Sequence, residues 1–393
     1  MQDDPPGQSL NPLRILVREV NWLGDAIMST PALQRLRQHY PQAHITLLCP
    51  EKLRDLWLHF QCVNDVLTIR AGQTPWAVGR RLRPERFDTA LVFPNSPRAA
   101  LEAWFARIPR RIGYSQPWRN WYLTQAVAPR AGRKIMRKKS PGEIRELIRT
   151  RQPPSPGSQR RVELEHSTSH QANEYLHLVA QLGACPNPIG ASLCVQPNET
   201  LAVARKFGLS DPALTGKPVL ALNPGAEYGP AKRWPVANFI AAAMEIRQRT
   251  DCVLLILGAG SDIPLANEIY SALRTPNFAP QNLAGRTSLR ELMAVLRMTR
   301  VLLTNDTGPM HLAAALGTSV VVPFGSTSPE LTAPGLVGDR NHYLLAANAP
   351  CAPCFRRTCP IDFRCMTAIS VASVVTAVVE ACALAPEAVQ RQN

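Results

Sequence analysis

Two apolar patterns alternate along the chain, short β-branched runs and longer stretches with helical spacing. "LRILVREV" (Leu13–Val20) is compact, apolar and β-branched, as buried strands are. In the following "GDAIMSTPALQRLRQHYP", Ile27, Leu33 and Leu36 recur at helical spacing, and Pro41 marks a stop. "AHITLLCP" predicts a second strand, "LRDLWLHF" a helix and "VNDVLTI" a third strand. A short helix, the strand "DTALVFPNS", the helix "AALEAWFARI" and the strand-like "RIGYS" come next. Repeated alternation of this kind predicts a parallel sheet with helices on both faces.

The rhythm breaks at residues 129–161, where lysine, arginine, proline and serine dominate around one short helical pattern, "PGEIRELIRT". This reads as a mobile surface insert. The helix "SHQANEYLHLVAQLG" closes the first half, and "CPNPIGASLCVQPNE" reads as an interdomain linker. The pattern then restarts with strand "PVLALNPG", helix "VANFIAAAMEIRQR", strand "DCVLLILG", helices "IPLANEIYSAL" and "SLRELMAVLRM", strand "RVLLTN", helix "PMHLAAALG" and strand "TSVVVPFG". The expected fold is α/β, with two doubly wound domains facing each other across a cleft. Their expected bounds are 12–185, including the insert, and 201–366, with a linker over 186–200 and a C-terminal helix and tail over 367–393.

Composition supports two globular domains: 393 residues, 45% hydrophobic and 19% charged. No apolar run reaches the roughly 18–20 residues of a membrane span. "MQDDPPGQSLNP" has the features of neither a signal peptide nor a transit peptide, so a cytoplasmic location is expected. The net charge of +15 is concentrated. Between Arg107 and Arg161, fifteen lysines and arginines face only Glu143 and Glu146. Such a zone is either a solvated insert or the contact for an anionic partner, whether nucleic acid, phospholipid head groups or a phosphorylated substrate. Nucleic acid is disfavoured, because the zone has no repeated aromatic–basic pattern and no recognisable nucleic-acid module.

Candidate chemistry gathers where strands run into loops, the place where open α/β sheets bind ligands. In "NPGAEYGPAKRWP" (Asn223–Pro235), a bent loop follows a strand and carries Lys232 and Arg233. Lys232 can neutralise a phosphate as a point charge, although the loop does not match a P-loop. "LGAGSD" (Leu257–Asp262) imitates the dinucleotide fingerprint, but Ile263 occupies its third glycine position. In "TNDTGPMHLAAALG" (Thr304–Gly317), Asp306, Thr307 and Gly308 open a helix whose free amides form an anion site, and His311 lies one turn in. The bland alternative is that Asp306 or Thr307 only caps the helix and His311 only packs. In "NWLGDAIMSTPAL" (Asn21–Leu33), Gly24 permits a tight turn, and Asp25 is either a cap or a general base. The spacing C-x2-C-x4-C-x5-C (Cys351, Cys354, Cys359, Cys365) suits zinc, a redox pair or plain thiols, without the second C-x2-C of a zinc ribbon.

Together "NWLGDAIMSTPAL", "FPNS", "RIGYS", "NPGAEYGPAKRWP", "NLAGRTSLRELMAVL" and "NDTGPMHLAAALGTSVVVPFGSTSPE" closely resemble the bacterial ADP-heptose:lipopolysaccharide heptosyltransferases of glycosyltransferase family 9. The "PGAEYGPAKRWP" form looks most like the type II branch, and the likeness runs from about Leu13 to about Glu330. The resemblance implies a GT-B fold of two Rossmann-like domains, an N-terminal one for the acceptor and a C-terminal one for the sugar nucleotide. It implies transfer of L-glycero-D-manno-heptose from ADP-heptose to the phosphorylated inner core on lipid A, inverting, with no metal or other cofactor. Asp25 then matches the general base, with Gly24 beside it. Lys232 matches the lysine on the diphosphate, and Asp306, Thr307, Gly308 and His311 match the nucleotide-sugar loop. Thr287 matches a position lining the adenosine pocket, and Asp262 aligns loosely with a ribose-binding acid. The basic zone 107–161 would contact the anionic inner membrane from its cytoplasmic face, although the insert is longer than in the best-known members. The rival readings are a type I enzyme, another sugar-nucleotide glycosyltransferase or epimerase on the same fold, an RNA-binding protein and an inactive lipopolysaccharide-binding scaffold.

Overall fold

The computed structural model describes residues 13–151, 160–162, 168–214, 216–334 and 342–384. The N-terminal residues 1–12, positions 152–159 of the basic insert and the tail beyond 384 lie outside the described residues. The chain forms two compact units. Unit 1 comprises 13–131 and 172–188, and unit 2 comprises 132–171 and 189 onward.

Along the first half run β1 (Arg14–Arg18), α1 (Leu23–His39), β2 (His44–Pro50), β3 (Asp65–Ile69), α2 (Pro75–Leu82), β4 (Thr89–Val92), α3 (Pro97–Phe105), β5 (Arg110–Tyr114) and β6 (Gln125–Val127). After these come α4 (Pro141–Thr150), β7 (Arg160–Arg161), α5 (Ala172–Ala180) and α6 (Pro197–Lys206). The second half continues with β8 (Val219–Asn223), α7 (Val236–Arg249), β9 (Val253–Ile256), α8 (Ile263–Leu273), β10 (Gln281–Asn282), α9 (Leu289–Met298) and β11 (Val301–Thr304). It ends with α10 (Gly308–Ala315), β12 (Ser319–Phe324), α11 (Pro329–Thr332), β13 (Tyr343–Ala346), α12 (Arg364–Thr367) and α13 (Val371–Ala383). The piece "LRDLWLHF", expected as an α-helix, is mostly a 3-10 helix at Glu51–Trp57.

Unit 1 holds a six-stranded parallel sheet in the order β3-β2-β1-β4-β5-β6. Its central strand β1 reads as an apolar run because it is buried on both faces: Ile15, Leu16 and Val17 are fully covered. Unit 2 holds a seven-stranded sheet in the order β10-β9-β8-β11-β12-β13-β7, parallel except for β7. Trp234 and Phe239 anchor the unit 2 core, into which α13 packs Val374, Val375 and Val378. In both sheets the strand order reverses beside a central strand, β1 in unit 1 and β8 in unit 2. The loops leaving the carboxyl ends of such strands part from each other there, and ligands enter at that point.

Two expected boundaries are corrected. The basic insert, placed by its sequence position in the first domain, packs with unit 2. Ile144 on α4 is buried in the unit 2 core, and the Lys139 amide donates to the Cys354 carbonyl (3.1 Å). Arg160 and Arg161 pair with the edge strand β13 in antiparallel register. The physical reason is that α4 has an apolar stripe to bury and β13 has a free edge to satisfy, so the insert docks where both are met. The linker expected over 186–200 is also shorter, because Gln196 caps α6 and the helix begins at Pro197.

Candidate active site

In unit 2, β8 and β11 are neighbours, with Asn223 opposite Thr304, so the loops that leave them start side by side. Three side chains bind these loops together. Asn223 Nδ2 donates to Thr304 Oγ1 (3.0 Å). Asn305 Nδ2 donates to the carbonyls of Pro224 (2.8 Å) and Gly225 (3.2 Å), while its Oδ1 accepts from the Trp234 amide (2.8 Å). Lys232 Nζ lies 2.7 Å from Asp306 Oδ2, and Thr327 Oγ1 donates to the same carboxylate oxygen (2.6 Å). Both ions are largely buried, so their attraction is little screened by water.

The lysine loop is held from behind as well. The Ala231 amide donates to the Arg357 carbonyl (2.9 Å), and Tyr228 Oη donates to the Phe355 carbonyl (2.9 Å). The Tyr228 ring lies 5.1 Å from Lys232 Nζ and 5.2 Å from the Arg357 guanidinium carbon, so one aromatic face steadies two cations. Gly229 adopts φ of +151° with the Arg357 backbone against it, a position with no room for a side chain.

Thr307 occupies the N-cap position of α10 without a side-chain cap bond, and the Asp306 carboxylate turns to Lys232 instead. The capping alternative for these two side chains is therefore not realised. The Met310 amide donates to the Thr307 carbonyl (3.0 Å) and Pro309 has no N–H, so of the first three residues of α10 it is Gly308 whose amide can meet an outside acceptor. His311 is buried and pushed down to about 4, first by burial and then by the nearby His170 and Lys232, with Asp306 opposing. It is therefore neutral at pH 7. His170, which sequence reasoning missed, is likewise pushed down to about 4 by burial while bonded to the Ala333 carbonyl. A cavity of about 420 Å³ opens at the carboxyl ends of β12 and β13, lined by Gly325, Thr327, Ser328, Glu330 and Asn348. Its size suits a small-molecule ligand.

Asp262 and Thr287 stand at the ends of neighbouring strands. Asp262 ends a 3-10 turn before α8, where its carboxylate accepts from the Ala259 amide (3.1 Å) and lies 3.7 Å from Arg233 Nη2. It also fills the space beside Gly225, where a Cβ would collide with it. Arg233 thus braces the lysine loop through Asp262. Thr287 precedes Ser288, the N-cap of α9, whose capping box with Glu291 fixes the turn. Cys351, Cys354 and Cys365 are buried in the unit 2 core, with Cys359 half-buried. Burial pushes the Cys365 thiol up to about 12, with smaller contributions from the other three cysteines. Among the described residues, no group of three or more His, Cys, Asp or Glu is placed to hold a metal ion.

In unit 1, Asp25 lies in the first turn of α1, whose N-cap is Trp22, so Asp25 is not the cap. Gly24 sits beside it in the same turn. Behind this turn is Glu19, which the sequence did not single out. It is fully buried at the end of β1, where its carboxyl accepts from the Val20 amide (2.7 Å) and from Ser29 Oγ (3.0 Å). Ser29 follows Asp25 by four residues, so the two share a helix face. Burial pushes the Glu19 carboxyl up to about 8, and the charge of Asp25 acts in the same direction. The neighbouring Arg18 pairs with Glu102 (2.6 Å) and donates to the Glu19 carbonyl, so its charge lowers the Glu19 value only against the larger effect of burial.

Comparison with known proteins now bears on this arrangement. Residues 148–363 match the model of glycosyltransferase family 9 (heptosyltransferase). The chain is 31% identical to lipopolysaccharide heptosyltransferase 2 of Escherichia coli, covering 82% of this chain and 85% of the relative. It is 26% identical to lipooligosaccharide heptosyltransferase 2 of Campylobacter jejuni, over 90% and 94%. The crystal structure of E. coli ADP-heptose lps heptosyltransferase II superposes with a TM-score of 0.72 at 26% identity, covering 94% of this chain and 98% of that one. With the two parallel sheets described above, this establishes the GT-B fold and a glycosyltransferase. The chain belongs to glycosyltransferase family 9, the heptosyltransferases.

Proposed function

We propose that this protein transfers L-glycero-D-manno-heptose from ADP-heptose to the inner core of lipopolysaccharide, as a heptosyltransferase of type II. The reading rests on type II relatives that align over most of both chains. The single observation that carries it is the Lys232–Asp306 pair beside the N-terminus of α10, at the carboxyl ends of two adjacent strands.

Asp25 is assigned as the base that takes the proton from an acceptor heptose hydroxyl. The hydroxyl oxygen then bonds to the anomeric carbon, while the bond from that carbon to the diphosphate oxygen breaks on the opposite face. The electron pair leaves with ADP and the anomeric centre inverts. Charge develops on the diphosphate, where Lys232 and the positive N-terminal end of α10, with the Gly308 amide, stabilise it electrostatically without a metal. The diphosphate competes with Asp306 for Lys232, and Thr327 retains the Asp306 carboxylate. Thr307, Gly308 and His311 shape the sugar-nucleotide loop, while Asp262 and Thr287 border the nucleoside. The neutral His311 accepts or donates a hydrogen bond without adding charge.

The acceptor is carried on a lipid, and the basic zone 107–161 supplies electrostatic attraction to an anionic membrane surface on the cytoplasmic side. That zone is divided between the two units at Ala131. Among the described residues no helix is long and apolar enough to cross a membrane. Reversing Arg133, Lys134, Arg137, Lys138 and Lys139 to Glu is expected to weaken vesicle association more than activity on a soluble acceptor. Equal vesicle binding by variant and wild type removes this part of the reading.

The decisive experiment is transfer from ADP-heptose to mono-heptosylated and unheptosylated acceptors. Preference for the mono-heptosylated one supports type II, and the reverse supports type I. No transfer to either acceptor, or full activity of Asp25→Ala, overturns the proposal.

A further inference from the structure

Of the seven tryptophans in the chain, five are exposed, and all five belong to unit 1. Trp118 and Trp121 are extreme, at 82% and 86% exposure, while Trp76 and Trp104 stand at 51% and 44%. Large apolar rings gathered on one surface mark a contact site. None of them has a part in the chemistry proposed above.

These four rings share one layer. Helix α2 links β3 to β4 and α3 links β4 to β5, and the two helices pack closely because Gly79 lets α2 sit directly on Phe105. The short 3-10 turn at Asn120–Tyr122, which leads from β5 to β6, packs on α3 through the Trp104–Tyr122 ring contact (5.8 Å). Trp76 is carried on α2, Trp104 on α3, Trp118 lies just before that turn and Trp121 within it.

The outward pose of Trp118 and Trp121 is built in. Arg119, between them, is fully buried, and its Nη1 donates to the Pro94 carbonyl (2.8 Å) and to Asn95 Oδ1 (3.3 Å). Its guanidinium lies over Gly113, where any side chain would collide with it. Plunging Arg119 inward leaves its flanking rings outside, and Trp118 holds a left-handed backbone (φ +64°) that a bulky residue rarely adopts.

The layer is also cationic. From Trp76 to Trp121 there are nine arginines against three acids, Glu85, Asp88 and Glu102. Each acid already has partners: Arg14 takes Glu85 (3.1 Å) and Asp88 (2.7 Å, through its amide), and Glu102 is shared by Arg18 (2.6 Å) and, within the layer, Arg98 (3.2 Å). The guanidiniums of Arg83 and Arg111 are satisfied by carbonyl oxygens of Phe105 (2.9 Å) and Tyr122 (2.7 Å), which leaves their charge uncompensated. Arg80 lies over the Trp76 ring at 5.4 Å.

We propose that the α2–α3 layer of unit 1, through Trp76, Trp104, Trp118 and Trp121 and the arginines among them, seats the protein in the headgroup region of an anionic lipid bilayer. Tryptophan favours that boundary because its ring is apolar and its indole N–H is polar, and arginine answers the lipid phosphates. The rings are carried on two packed helices and the turn beside them, and this broad face of indoles and arginines favours a flat membrane over single-stranded nucleic acid. The inference deepens the lipid-linked acceptor reading and rests on it. It differs from attraction by the basic insert, which is electrostatic and vanishes in salt.

The test is sedimentation of the full chain with vesicles of phosphatidylcholine containing phosphatidylglycerol, at low and high salt, beside transfer to a delipidated acceptor. Trp118→Ala/Trp121→Ala is expected to lower vesicle partition about tenfold, including the part that survives high salt, with transfer to the delipidated acceptor unchanged. A blue shift of tryptophan emission on vesicles, absent in the double variant, is the matching spectroscopic signature. Charge reversal in the insert should remove only the salt-sensitive part. Unchanged partition of the double variant overturns the proposal, as does wild type that fails to bind vesicles. Tighter binding to a uridine oligonucleotide than to vesicles, or a change only in self-association, overturns it too. Loss of transfer by wild type on the delipidated acceptor instead strikes the heptosyltransferase reading and leaves the vesicle result to be read separately.

Discussion

The corner after β1 and the corner after β11 each bury an acid at the carboxyl end of a central strand, and they tame it differently. The cation beside Glu19, Arg18, makes its ion pair with Glu102, so burial outweighs its attraction and holds the Glu19 proton on to about pH 8. Asp306 lies 2.7 Å from Lys232 and also accepts from Thr327, so it is balanced by a neighbour. The first device responds to pH. The second responds to any anion that can attract the lysine. Under the proposed mechanism this separates the demands of a base, whose protonation must be controlled, from those of a leaving-group site, whose charge must be ready beforehand.

The comparison can be broken most forcefully at Lys232. Lys232→Ala strands a buried carboxylate and is expected to destabilise unit 2 by about 3–5 kcal/mol in denaturant unfolding. Initial rates should fall roughly 10²–10³-fold. Adding Asp306→Asn should restore most of the stability and little of the rate. If the double variant regains neither, the pair is not the balanced unit described.

Glu19→Gln sharpens the other side. The folded pKa of about 8 exceeds the unfolded value of 4.5, so the native state keeps a proton that the unfolded chain has released. Stability contributed by this group is full below pH 4.5 and is lost as pH rises through 8, by roughly 4–5 kcal/mol. Urea unfolding of the variant at several pH values should show that slope removed.

His311→Gln probes acid sensitivity in unit 2. Its folded value of about 4 lies below the usual 6.5, so stability is lost as pH falls from 6.5 through 4, by about 3 kcal/mol. The variant should flatten this limb only in part, because His170 titrates with the same sign. Gly225→Ala drives a methyl against Asp262 and is expected to cost about 1–3 kcal/mol, read as a lower melting temperature. Arg233→Ala should have the smallest effect, at most about 1 kcal/mol, since its contact with Asp262 is long and a third of its side chain is open to water.

Much of the second corner was legible in the residues. "VLALN" followed by glycines, prolines and a lysine announces a strand and a stiff cationic loop, and "NDTGPMH" announces a helix start. The pairing of those two loops is not legible in the residues, because it depends on β8 and β11 lying side by side, 81 residues apart between Asn223 and Thr304. Asn305 was passed over for the same reason: its partners belong to the neighbouring strand's loop. Glu19 was invisible because a glutamate within "LVREV" says nothing of which face it takes at the strand end. The insert shows a related gap. Its composition declares exposure, but the single buried Ile144 decides which core it joins.

Asn305 has one more consequence, for anyone redesigning this enzyme. One amide grips the carbonyls of Pro224 and Gly225 and the amide of Trp234, so the two loops assigned to the donor in the proposed function are a single module in two pieces of sequence. Grafting either loop alone from a relative with another donor preference would import half a lock. Donor specificity in this scaffold should therefore be exchanged as a matched pair, residues 223–235 with 304–311, or left in place.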